Sequence, residues 1–266
     1  MASQVPLVRP DESWRAVGAA VRDDGLAVVA GHPSHWPEGA RRLALTAAGA
    51  ALRRPPGALE LGRAPGGRPY LRGHPELEVS LGHTRGLLVA AVSARGRVGV
   101  DVEPAGRGVY GTPLVAEMTT PYERSALAAL PEEERNAALV RLWTRKEAYT
   151  KALGVGLRLP FTAFGLVRGP AGYGPRGPDG RPVDPSERDR WRFGTDPDVA
   201  GCVVSWAVRQ LANVSYEESS SSCGAPESTC WCSRWRRGDG STPSSSRSAA
   251  RNCWNVSSAR HGWPER

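Results

Sequence analysis

The chain has 266 residues, a hydrophobic share of 40% and a formal net charge of +8. This composition suits a globular protein of one large or two small domains and favours anionic partners; with no Lys/Arg run longer than two, nucleic acid is not expected among them. No apolar run approaches a membrane span and the N-terminus lacks the basic and apolar regions of a signal peptide, so no membrane partner and a reduced, cytoplasmic setting are expected.

In chain order, residues 1–40 are weakly patterned apart from a strand at 26–30. Residues 41–54, rich in Ala and Leu and stopped by Pro55-Pro56, predict a helix. Gly66-Gly-Arg-Pro-Tyr-Leu71 is a turn running into extended chain. Strands at 77–81 and 86–92 flank a polar corner, Gly82-His-Thr-Arg-Gly86. A hairpin connection at 93–97 then leads into a strand at 98–103, closed by Pro104. Helices follow at 121–130 and about 131–153; the second has Pro at its first turn, three Glu behind it and Gly154 after it. Segments 161–167, 191–193 and 201–211 read as strands. From about residue 212 the chain turns Ser-rich, loses any period and carries four of the five cysteines. Residues 212–266 therefore read as a disordered or non-native tail, without the paired Cys spacing of a zinc site.

Two of these elements carry chemistry. In Val98-Gly-Val-Asp-Val-Glu103 the valines point one way and Asp101 and Glu103 the other. Carboxylates at i and i+2 on a strand sit roughly 6–7 Å apart at the Cα level, close enough to share one hard cation. A solvated acidic face is the plainer alternative. The long helix holds the chain's only two lysines, Lys146 and Lys151, in Trp143-Thr-Arg-Lys-Glu-Ala-Tyr-Thr-Lys151. A chain so biased to arginine keeps lysine where a compact ammonium does what a planar guanidinium cannot. On the helical wheel Leu139, Leu142, Tyr149 and Leu153 form a core stripe, and Trp143, Glu147 and Lys151 a second one. Lys146 falls close to the apolar face, with its stem partly covered and its ammonium pushed toward an edge. The plainer alternative here is a surface Glu147–Lys151 pair. Strand and helix together suggest a divalent-metal site that handles phosphate.

Val98-Gly-Val-Asp-Val-Glu103, followed about forty residues on by Leu142-Trp-Thr-Arg-Lys-Glu-Ala-Tyr-Thr-Lys-Ala-Leu-Gly-Val-Gly-Leu157, closely resembles the paired signatures of 4′-phosphopantetheinyl transferases of the long, surfactin-synthetase-activating type. Gly67-Arg-Pro-Tyr-Leu71 is similar to that family's Gly-Lys-Pro-x-Leu segment, and Ser80-Leu-Gly-His-Thr84 stands where the family has Ser-His-Ser. The resemblance implies an α/β (α+β) fold of two pseudo-two-fold halves, 1–97 and 98–211, each a helix packed on a small antiparallel sheet. Coenzyme A would lie in the cleft between them. It implies transfer of phosphopantetheine from coenzyme A to a serine of an acyl or peptidyl carrier protein, with release of adenosine 3′,5′-bisphosphate, by a monomer serving secondary metabolism. Asp101, Glu103 and Glu147 would bind Mg²⁺, with Mn²⁺ able to substitute. Lys151 and His83 would contact phosphate, Arg68 the nucleotide end, and Arg41 and Thr46 on the first helix would join them in an open register.

Serine attack on a pyrophosphate phosphorus needs charge neutralisation and in-line positioning more than covalent help. The base is left open among Glu147, a metal-bound water and Lys146. Gly82 stands in place of the family's serine and Arg68 in place of its lysine. A non-catalytic coenzyme A or carrier-binding homologue is the alternative; a Mg²⁺-dependent nuclease is a more distant one.

Overall fold

In the computed structural model, which describes residues 5–169, 172–183 and 190–210, the apolar run ending at Val92 becomes a strand buried on both faces, β5 (Leu88–Ser93). One face, Leu88, Ala90 and Val92, packs against the first long helix, α2 (Ala40–Leu52). Val89 and Ala91 on the other join Val98, Val100, Val102, Val204 and Val208. Burial on two sides is why the run shows no alternation. Antiparallel partners flank β5 in the order β1 (Leu26–Gly31), β5, β4 (Glu78–His83).

A second antiparallel sheet is ordered β6 (Gly96–Pro104), β10 (Cys202–Gln210), β9 (Trp191–Val199). Its valine face meets the first sheet, and the long helix α5 (Glu132–Leu153) covers the other face. The mixed α/β arrangement with small antiparallel sheets expected from the resemblance is thus the one observed. Two hairpins, β2 (Leu61–Arg63) with β3 (Pro69–Leu71) and β7 (Gly165–Gly169) with β8 (Gly172–Arg176), sit beside these sheets.

The close fit of α5 on β6 rests on one residue. A Cβ at Gly99 would lie 1.9 Å from the Ala148 carbonyl oxygen and 2.6 Å from the Ala152 nitrogen. Only a glycine lets the helix backbone approach that near. At its far end α5 stops at Gly154, whose φ of 77° is the left-handed cap conformation that glycine adopts without cost.

Several elements differ from expectation. Segment 1–40 also holds α1 (Arg15–Ala19), continued by a π turn at Ala20–Asp24. A short α3 (Leu114–Met118) precedes α4 (Pro121–Ala128). Five-residue helices are too short to display a 3.6-residue period. Residues 161–167 divide into a 3₁₀ turn at Phe161–Ala163 and β7. The strand begun at Trp191 runs on to Val199, through a proline at 197 that its edge position tolerates. The expected tail, 212–266, lies outside the described residues.

Candidate active site

Asp101 stands in the middle of β6 and is 8% exposed. Its Oδ1 accepts a 2.7 Å hydrogen bond from Lys151 Nζ, while Oδ2 is buried without a partner. Lys151 also donates to the carbonyl oxygens of Val100, at 2.9 Å, and Leu81, at 3.4 Å. One ammonium therefore links α5 to both β6 and β4. Burial pushes the Asp101 carboxyl up against the pull of Lys151.

Glu103, two residues along the same face, is held by Arg107 through a 2.7 Å ion pair to Oε2. Its carboxyl is also raised, chiefly by burial. Glu147 lies one helical turn from Lys151; burial first, and then the negative charge of Asp101, push it up to about 7. Asp101 raises the proton affinity of Glu103, and both raise that of Glu147, which marks an acidic cluster short of positive charge. Trp143, expected on an open stripe, is 7% exposed, with the Arg107 guanidinium 4.2 Å above its ring.

Beside this cluster opens a cleft of about 540 Å³, lined by Arg41, Arg63, Arg68, His83 and Lys151, with Glu38 as the one carboxylate among its lining residues. The first turn of α2, Ala40 and Arg41, forms one wall, so the positive end of the helix dipole adds to the side-chain charge. Arg68 pairs with Glu78 at 2.8 Å, and its Nε is buried without a partner. A site of this kind can hold an anion of several charges, and Lys151 joins it to the buried carboxylate of Asp101.

Two expected residues stand elsewhere. Thr46, five residues beyond Arg41, is turned roughly 140° away around α2. It lines separate surface grooves and donates its hydroxyl to the Arg42 carbonyl instead of facing the cleft. Lys146 is not at an edge but fully buried. Its Nζ donates to Glu123 Oε2, to the Met118 carbonyl at 3.2 Å and to the Phe161 carbonyl at 2.7 Å. Glu123 in turn caps α4 with Thr120 and accepts from Leu166 N at 2.8 Å. All three Lys146 protons are thus engaged away from the acidic cluster, which removes this lysine from the candidate bases.

Sequence reasoning missed Arg63, Arg107, Glu123 and Asn136. Asn136 accepts from Val109 N and Tyr110 N and donates to the Arg107 carbonyl at 2.9 Å, so it pins the loop that carries Arg107. Only Glu123 had a readable signal: Thr120-Pro-Tyr-Glu123 is a capping-box pattern. Among the described residues, no three His, Cys, Asp or Glu side chains are already gathered as ligands of one metal ion. The expected three-carboxylate set is therefore not pre-assembled, since cations of the chain hold two of its members.

Residues 97–194, from the start of β6 through α5 into β9, match the model of the 4′-phosphopantetheinyl transferase superfamily. Among curated proteins, a 4′-phosphopantetheinyl transferase of Bacillus subtilis is 28% identical over 121 residues, covering 46% of this chain and 53% of that protein. The 4′-phosphopantetheinyl transferase HetI of a Nostoc species is 28% identical over 163 residues, covering 58% and 68%. The chain thus spans about half to two thirds of these relatives. Among the described residues no helix is long and apolar enough to cross a membrane.

Proposed function

We propose that this chain transfers the 4′-phosphopantetheine group from coenzyme A to a serine hydroxyl of an acyl or peptidyl carrier protein. The observation that carries the proposal is Lys151, which lines the basic cleft and at the same time reaches into the acidic cluster through Asp101. It is the point where a polyphosphate in the cleft meets the carboxylates.

In the proposed reaction the serine oxygen forms a bond to the pyrophosphate phosphorus nearer the pantetheine. The bond from that phosphorus to the bridging oxygen breaks, and adenosine 3′,5′-bisphosphate leaves with the electron pair. Arg41, Arg63, Arg68 and His83 bind and orient the phosphates along the cleft. Lys151 neutralises charge where the bond breaks. Glu147 would accept the serine proton.

The fit of a divalent cation rests on the buried, unpartnered Asp101 Oδ2 and on the mutual repulsion of the three carboxylates. Asp101, Glu103 and Glu147 would hold Mg²⁺, which when bound supplies Lewis-acid stabilisation of phosphate charge. We place the junction of the two halves at 97/98, so that the cleft draws residues from both. The test is incubation with coenzyme A, Mg²⁺ and a panel of apo-carrier proteins. A mass gain of one phosphopantetheine, lost with chelator and restored by Mg²⁺ or Mn²⁺, is expected. No gain on any carrier would refute the activity, and full gain in chelator would refute the metal.

A further inference from the structure

We propose that Arg107 is an internal counter-cation of the acidic cluster, which keeps the free protein's affinity for a divalent metal low and makes metal binding depend on the arrival of the anionic co-substrate. The inference rests on the metal site of the proposed function, which assigns no role to Arg107.

The geometry is specific. The Arg107 guanidinium sits 2.7 Å from Glu103 and 4.2 Å above Trp143, which stands one helical turn before Glu147 on α5. One arginine thus pairs with one proposed ligand and stacks on the residue one turn before a second. Its loop is fixed by the Asn136 amide, so the contact is built into the fold and is not a chance pairing of two surface side chains. The partners are unequal in exposure: the side chain of Glu103 is 14% exposed and that of Arg107 38%. The arginine can swing out to water; the glutamate stays.

Charge counting gives the consequence. Asp101 is paired with Lys151 and Glu103 with Arg107, which leaves Glu147 as the one cluster carboxylate without a basic partner at ion-pair distance. A dication entering that cluster alone must displace one or both cations against repulsion. A pyrophosphate in the cleft changes the balance, because it draws Lys151 toward itself, frees Asp101 and adds oxygen ligands. Even with water-like screening, removing one unit charge a few ångströms from a dication changes its affinity by about tenfold.

The experiment measures Mn²⁺ binding to the full-length protein, by titration calorimetry and by the free-ion paramagnetic signal, with and without coenzyme A. Wild type, Arg107→Gln and Arg107→Lys are compared, and thermal melts confirm that each is folded. Wild type is expected to bind Mn²⁺ weakly alone and more tightly with coenzyme A. Arg107→Gln should bind Mn²⁺ alone about tenfold more tightly, narrowing the gap, while Arg107→Lys, which keeps the charge, should stay near wild type. If Arg107→Gln binds Mn²⁺ alone no better than wild type while coenzyme A still promotes binding, the counter-cation role is wrong and the metal site stands. If no protein binds Mn²⁺ under either condition, the metal site and this inference fall together.

Discussion

Replacing Gly99 with alanine should disable the protein through a single methyl group. The added Cβ would meet the Ala148 carbonyl oxygen at 1.9 Å, whereas ordinary contacts begin at 3.4 Å. About 1.5 Å of separation must therefore be created between two backbones, neither of which can rotate aside as a side chain would. Gly99 has an ordinary negative φ, so backbone strain contributes nothing and the whole effect comes from the contact. Overpacking of this kind costs about 1–3 kcal/mol, and a backbone clash belongs at the upper end. The functional loss should be larger. Pushing α5 off β6 separates Glu147 and Lys151 from Asp101 and Glu103, and a misplacement near 1 Å costs on the order of 100-fold in rate. Urea unfolding and single-turnover transfer to a carrier protein measure the two effects. Gly57→Ala, where a Cβ meets nothing within 4 Å, is the control. A wild-type unfolding midpoint and rate in Gly99→Ala would refute the close helix–strand approach and the site built on it.

Lys146→Met should lower stability by about 3–5 kcal/mol, because it leaves the Glu123 carboxylate buried without its cation, and the double variant with Glu123→Leu should recover much of that loss in urea unfolding. Glu147 holds its proton more tightly folded than unfolded, its carboxyl rising from 4.5 to about 7. Its influence is therefore most favourable below about pH 4.5, and stability declines, by at most roughly 3 kcal/mol, as pH rises toward 7. In metal-free buffer Glu147→Gln should flatten that slope, and an unchanged slope would assign it to other groups. Lys151→Ala should reduce transfer strongly and leave Asp101 buried without its ammonium; Lys151→Arg should not restore the rate, because a guanidinium cannot take the same three-oxygen position between β4 and β6. Wild-type turnover in Lys151→Ala would confine this lysine to an ion pair.

The sequence by itself determined the elements and the faces of the strongly periodic ones. The valines of β6 alternate with Asp101 and Glu103, and that fixes which side of the strand is apolar whatever packs on it. The proline and glutamates at one end of α5 and Gly154 at the other set its limits, and the four-residue spacing of Trp143, Glu147 and Lys151 sets their common side. These are local facts, decided by backbone geometry within a few residues. What meets each face is a long-range fact, and only the tertiary structure decided it. The clearance at Gly99 that brings α5 onto β6 is one such case. Lys146 is another: its wheel position indicated partial cover, but complete burial depends on Glu123, Met118 and Phe161, from three other segments. Arg63 ends a three-residue strand, too short to show a period, and Arg107 lies in a loop, where no period exists to orient a side chain. Their direction comes from a hairpin and from the Asn136 anchor. Thr46 missed the cleft because the register of α2 against its sheet is set by core packing of Leu43, Ala44, Ala47 and Ala48, a choice that basic residues on both sides of the helix could not reveal.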